Sequence, residues 1–166
     1  MTKVIEVQNL SLTYHNNQGE TLALDNISFS VEHGEFISIV GPSGCGKTTI
    51  LSILTGLLKP SNGKVLVNGE MPKPKDSKCG YMFQRDNLLP WRTIEKNVLL
   101  GLEIQHKLTQ STKQYALNLL DKYGLGDFKR KRPDELSGGM RQRVALIRTL
   151  ALNPSILNLW VLVFRH

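Results

Sequence analysis

Residues 41–49 read "GPSGCGKTT" and satisfy the spacing G-x-x-x-x-G-K-Ser/Thr. They follow "EFISIV" (35–40), a nearly continuous apolar run of the kind that forms a strand buried on both faces. Helical sequence follows, from Lys47 to about Leu57. Strand, glycine loop and helix in that order are the context this spacing needs to hold a phosphate. Gly41, Gly44 and Gly46 let the backbone wrap closely around an anion and turn successive N–H groups inward, and the helix start adds the positive end of its dipole. Pro42, Ser43, Cys45 and Thr49 complete the loop, Lys47 is placed to reach β- and γ-phosphates, and the Thr48 hydroxyl is the expected Mg²⁺ ligand. The stretch therefore reads as a nucleoside triphosphate site.

Working outward, "VIEVQNL" (4–10) and "ALDNISFSV" (23–31) alternate apolar and polar residues and predict antiparallel strands. Beyond the first helix come a "KPSNG" turn and a strand "KVLVNG". The stretch "TKQYALNLLDKYG" has helical periodicity, with Tyr115, Leu119 and Tyr123 on one face and Gly124 as the residue that closes the helix. A last helix is expected to start near Ser137 and to stop before Pro154. "LSGGMRQR" (136–143) thus sets Ser137, Gly138 and Gly139 at a second helix N-terminus suited to anions. One chain with two half-sites for triphosphate suggests that two chains share them.

A chain of 166 residues, 40% apolar and 21% charged, suits one globular domain with a sizeable core. No apolar run approaches the ~20 residues of a membrane helix, and no secretory leader is evident, so a cytosolic setting with Cys45 and Cys79 reduced is expected. The net charge of +7 raises a nucleic-acid partner, but the one dense run, "KRKR" (129–132), lacks interleaved aromatics and reads as a solvated face. No nucleic-acid binding is expected.

These motifs, in this order, resemble the ATP-binding cassette ATPases over essentially the whole chain. The resemblance implies an α/β fold: a P-loop NTPase nucleotide-binding domain, incomplete, with an antiparallel β subdomain and a helical subdomain over about 84–152 within a single domain of 1–166. It implies ATP and Mg²⁺ as cofactors. Ser137, Gly138 and Gly139 would face the ATP held by the P-loop of a second copy in a head-to-tail dimer. Tyr14 would stack on adenine, and Gln84 in "YMFQRDNLLPW" would sense Mg²⁺ and the attacking water while the segment after it faces a membrane permease. "MFQRDNLLPWRTIEKNV" and "LSGGMRQRVALIRTLA" are most similar to importers of the nitrate, sulfonate and taurine group, whose ATPase subunits sit on the inner face of the membrane. A remnant that binds ATP without turnover and a soluble cassette protein outside transport stand as alternative readings.

The chain closes on "NPSILNLWVLVFRH", with no Asp or Glu. In the family this stretch becomes a strand ending in an Asp that anchors water around Mg²⁺ and a Glu that acts as general base. Aligned on Pro154, those positions are Trp160 and Val161. The resemblance therefore implies a truncated cassette deficient in hydrolysis. A one-base slip in an ordinary continuation would account for Leu159, Trp160, Phe164, Arg165 and His166, and the sheet is expected to lack the strands that flank the P-loop strand.

Overall fold

Two long strands, β1 (Lys3–Asn16) and β2 (Gly19–Glu32), form an antiparallel hairpin that sets Ile5 beside Val31, Leu10 beside Ile27 and Leu12 beside Leu24. The computed structural model describes residues 2–16, 19–74, 79–83 and 85–159. The alternation read from the sequence holds in β1, where Ile5 and Val7 are buried. It slips at two asparagines, Asn9 and Asn26, which adopt left-handed φ of 48° and 46°. Serine hydroxyls stabilise these bulges: Asn9 N donates to Ser28 Oγ, and Asn26 N to Ser11 Oγ. The slip returns Leu10 and Leu12 to the buried face.

The chain divides into two compact units, Met1–Asp76 and Ser77–His166. In the first, β3 (Asn62–Val67) pairs antiparallel with the other edge of β1, giving the order β2-β1-β3. Helix α1 (Lys47–Leu54) contributes buried Ile50, Ile53 and Leu54 to a core with Leu10, Leu12, Leu24 and Val65. The helix is three residues shorter than the sequence suggests. Gly56, at φ 73°, closes it: Gly56 N donates to Ile53 O and Leu57 N to Ser52 O, the paired bonds that end a helix at a left-handed glycine.

The expected buried strand at 35–40 is not formed. Phe36 is 89% and Val40 78% exposed, and among the described residues no strand pairs with this run. An apolar run makes a buried strand only when neighbours take up its N–H and C=O groups and cover its faces, and here neither condition is met.

The second unit contains α2 (Ile94–Ile104), α3 (Gln110–Lys122) and α4 (Gly138–Leu150), with short 3₁₀ turns at Gly126–Phe128 and Pro133–Glu135. Threonine and serine side chains cap the helices at Thr93, Thr109 and Ser137. The helices converge on Ile94, Val98, Leu120, Leu125, Val144 and Ile147, all at 0% exposure. Gly124 closes α3 as expected, at φ 71°, with Leu125 N donating to Leu120 O. The buried face of α3 differs from the expected one, being Ala116, Leu119 and Leu120, while Tyr115 is exposed. Tyr115 precedes Leu119 by one full turn but lies at the solvent edge of that stripe. Strand β4 (Cys79–Met82) pairs in parallel with β5 (Ile156–Leu159), so the apolar sequence after Pro154 does form a strand.

Candidate functional site

The glycine loop occupies 41–46 and ends at Gly46, the residue preceding α1, in a left-handed conformation (φ 91°). Only glycine fits there. A Cβ would come within 2.6 Å of Leu24 Cδ2 and 2.7 Å of the Ala23 carbonyl oxygen, so the loop–helix junction lies directly on β2. Gly44 is also left-handed, at φ 81°. Lys47 turns back over the loop, its ammonium donating to the carbonyls of Gly41 (2.7 Å) and Pro42 (2.6 Å), with Cys45 Sγ at 3.4 Å. A Cβ on Gly41 would meet that sulfur at 2.6 Å, so any larger residue there would require the Cys45 side chain to turn away. Pro42, Ser43 and Thr48 are exposed and Thr49 is buried. Tyr14 is brought to this cluster: its phenol oxygen shares a hydrogen bond with Thr49 Oγ1 at 3.3 Å.

This arrangement fits a polyphosphate. The junction is a cradle that a side chain would fill, the first amides of α1 carry no internal partner, and a cation stands over the loop. Thr48 offers a hard hydroxyl ligand that suits Mg²⁺ when phosphate oxygens supply further ligands. Among the described residues no cluster of three His, Cys, Asp or Glu side chains is suited to a metal ion.

In the second unit, Ser137 caps α4 by accepting from Met140 N at 3.3 Å, and Gly138 and Gly139 form an exposed first turn. The residues beside the expected Gln84 site reveal contacts that the sequence did not signal. Gln84 itself lies outside the described residues, as do Trp160 and Val161. Two positions after Gln84, the Asp86 carboxylate accepts from Arg141 Nε (3.1 Å) and from Leu88 N (3.2 Å). Arg141 also donates to the carbonyl of Leu136, the residue before the cap, at 2.7 Å. Arg148, one helical stretch further on, donates to the carbonyls of Asp86 (2.7 Å) and Asn87 (2.8 Å). Burial pushes the Arg148 pKa below its ordinary value, and the charge of Asp86 offsets part of that. Two arginines of α4 thus latch the turn at 86–88 onto the helix that begins at Ser137. These contacts span 55 to 62 residues, so no local pattern encodes them.

A second group shapes the loop that follows. Asn97 is fully buried: its Oδ1 accepts from Leu89 N at 2.7 Å, and its amide donates toward the carbonyls of Leu89, Arg92 and Thr93, each at 3.1 Å. Arg92 reaches Glu103 with a guanidinium nitrogen 2.8 Å from both carboxylate oxygens. Trp91, between these anchors, is 70% exposed. In the dense basic run, Lys129 pairs with Asp121 and Lys131 with Glu135.

Residues 24–159 match the family model described as ABC transporter. The chain is 54% identical over 155 residues to the uncharacterised ABC transporter ATP-binding protein YtlC of Bacillus subtilis, covering 93% of this chain and 60% of that protein. It is 39% identical over 154 residues to the taurine import ATP-binding protein TauB of Ruegeria pomeroyi, covering 92% and 58%. The chain thus spans about three fifths of the length of these relatives. Among solved structures it matches the dimeric structure of MJ0796, a bacterial ABC transporter cassette, with a TM-score of 0.80 and 35% identity over 92% of this chain and 72% of that one. The glycine loop on α1, the serine-capped start of α4 and these matches agree: the chain belongs to the ABC transporter family, with the fold of its P-loop ATPases.

Proposed function

We propose that this chain is the ATP-binding part of an importer subunit, which binds Mg²⁺ and ATP and couples them to solute uptake through a membrane permease. The observation that carries this reading is the loop at 41–47, where Lys47 stands over two loop carbonyls and Gly46 is held against β2. Lys47 would exchange those carbonyls for β- and γ-phosphate oxygens, the amides at the head of α1 would donate to the same phosphates, and Thr48 would hold Mg²⁺. Tyr14, tied to α1 through Thr49, would receive the base. Ser137, Gly138 and Gly139 would serve the triphosphate of a second copy in a head-to-tail dimer, and Gln84 would act beside the metal. The similarity to a protein named for taurine import, and to one named for aliphatic sulfonates import, supports a small sulfonate-like anion as cargo; a subunit that drives such a permease with ATP would sit on the inner face of the membrane.

A second reading concerns turnover. The side chains at the two positions that the family uses for a metal-anchoring Asp and a general-base Glu are Trp160 and Val161, which carry neither proton nor metal. This favours ATP binding with hydrolysis lowered by at least the ~10²–10⁴-fold that general-base catalysis supplies.

Calorimetry on the purified chain tests the assignment. Lys47→Ala should weaken ATP about tenfold or more, through loss of a charge-assisted contact. Equal affinity in the variant refutes the phosphate role of the loop. Phosphate release at the rate of an intact cassette ATPase refutes the second reading.

A further inference from the structure

Gly138 and Gly139 open α4, and glycine has the most backbone freedom to lose in a first helical turn. That turn is held from outside the helix. Leu136, buried just ahead of the cap, has a carbonyl without a helical partner, because the Met140 amide donates to Ser137 Oγ instead. Arg141 supplies the partner: Nη1 donates to the Leu136 oxygen at 2.7 Å, while Nε donates to the Asp86 carboxylate at 3.1 Å. A planar guanidinium with acceptors on two different segments has its plane fixed by them. The Asp86 end is itself braced, since Arg148 donates to the carbonyls of Asp86 and Asn87, and Leu88 N donates to the same carboxylate. A trans peptide sends its C=O and N–H in opposite directions, and the Leu136–Ser137 bond is trans. With the Leu136 oxygen drawn to Arg141, the Ser137 N–H is aimed away from it. That N–H donates to nothing among the described residues, and neither do those of Gly138 and Gly139.

We propose that Arg141 is a positioning residue for the head of α4: its guanidinium, braced by Asp86, sets the Leu136–Ser137 peptide so that the first amides of the helix stand ready as donors to an anion. This rests on the reading above in which that anion is the triphosphate held by a second copy. Arg141 acts through the peptide it orients and needs no contact with the ligand. Its effect therefore falls on the association of two copies and leaves the binding of ATP to one copy alone. The role calls for arginine, because a lysine ammonium has no planar fork to fix the two acceptors relative to each other.

The test is sedimentation equilibrium of the 166-residue chain with and without MgATP, which reads association, beside calorimetry on dilute chain, which reads ATP binding to one copy. The unmodified chain should dimerise in MgATP. Arg141→Met should weaken that association about tenfold or more, the effect of one charge-assisted hydrogen bond, with ATP affinity kept within about twofold. Arg141→Lys, the milder change, should weaken it about threefold and so carries the test if Arg141→Met does not fold. Arg148→Met is the control for general loosening, because it frees the same turn from α4 without touching Leu136, and it should change association about twofold or less. Unchanged association in Arg141→Met, or in Arg141→Lys where only that variant folds, overturns the proposal. An equal loss in Arg148→Met also overturns it, by reducing the role of Arg141 to packing, and so does a parallel loss of ATP affinity in Arg141→Met. An unmodified chain that binds ATP yet stays monomeric overturns the shared-site reading and this proposal with it.

Discussion

Asn97 provides a quantitative test of how the loop ahead of α2 is held. Replacing it with alanine removes one acceptor and one amide, but the partners are not equally affected. The Leu89 carbonyl keeps a bond from Arg92 N at 3.1 Å, and the Thr93 carbonyl keeps the helical bond from Asn97 N at 2.9 Å. Two groups lose the partners described here, the Leu89 N–H and the Arg92 carbonyl. A buried polar group left without a partner costs about 1–3 kcal/mol. Alanine recovers roughly 0.5–0.7 kcal/mol through its better helix propensity. Two such groups cost about 2–6 kcal/mol together, so the net expectation is a loss of about 1.5–5.5 kcal/mol, a large share of the ~5–15 kcal/mol that stabilises an ordinary domain.

Urea titration followed by tryptophan fluorescence measures this, with Trp91 lying in the affected loop between Leu89 and Thr93. Hydrogen exchange at the Leu89 amide provides a local check, since that N–H donates to Asn97 and should lose protection in Asn97→Ala. Asn97→Asp keeps the acceptor for Leu89 but aims a carboxylate at carbonyl oxygens, so it should be at least as damaging. A loss below about 1 kcal/mol in Asn97→Ala, with the Leu89 amide still protected, refutes the reasoning.

Two further outcomes follow from the second unit. Arg148→Met keeps the apolar stem but removes the bonds to the Asp86 and Asn87 carbonyls, and should destabilise by about 1.5–3 kcal/mol, read from the same urea titration; no shift in midpoint counts against the latch. The Glu135 carboxyl is held below the usual glutamate value, first by accepting from Arg132 N at 2.7 Å and then by Lys131, so its contribution is present above the unfolded pKa and is lost as pH falls through the lower folded value. Glu135→Gln should therefore flatten the acid side of the stability profile, in thermal melts taken from about pH 6 down to 3, and an unchanged acid limb refutes the link.

The parts of the fold legible in the sequence are those whose physics is local. Glycine at 46 and 124 is needed for φ values that other residues avoid, Ser137 caps a helix through a bond three residues long, and the alternation in β1 reports one covered face. What escaped the sequence is set by distant partners. Asn97 looks like a polar residue of an exposed helix face, yet it is fully buried because the loop eight residues earlier folds over it. Asp86, Arg141 and Arg148 look like surface charges until the turn at 86–88 is placed on α4. Tyr115 has the spacing of a core residue but lies beyond the edge of the packed stripe, a distinction of one helical step that periodicity does not resolve.

The run at 36–40 shows the same limit and bears on how the phosphate loop is held. The sheets described are β2-β1-β3 and β4-β5, and neither places a strand beside this run. The loop is thus anchored from its helix side. Gly46 sits on Ala23 and Leu24, Ile50 and Ile53 are buried in the first unit's core, and Lys47 reaches back to the carbonyls of Gly41 and Pro42. In the proposed site, those two ends would have different duties toward a phosphate. The helix end presents amides whose direction is fixed by packing, so it donates at little conformational cost. The Gly41 end is closed by the ammonium that a phosphate would recruit, so ligand binding exchanges the bonds that shape the loop for bonds to the ligand. In the proposed site, affinity would therefore arise at the head of α1, and the conformational cost of binding would fall on residues 41 and 42, next to a segment that no ladder among the described residues restrains.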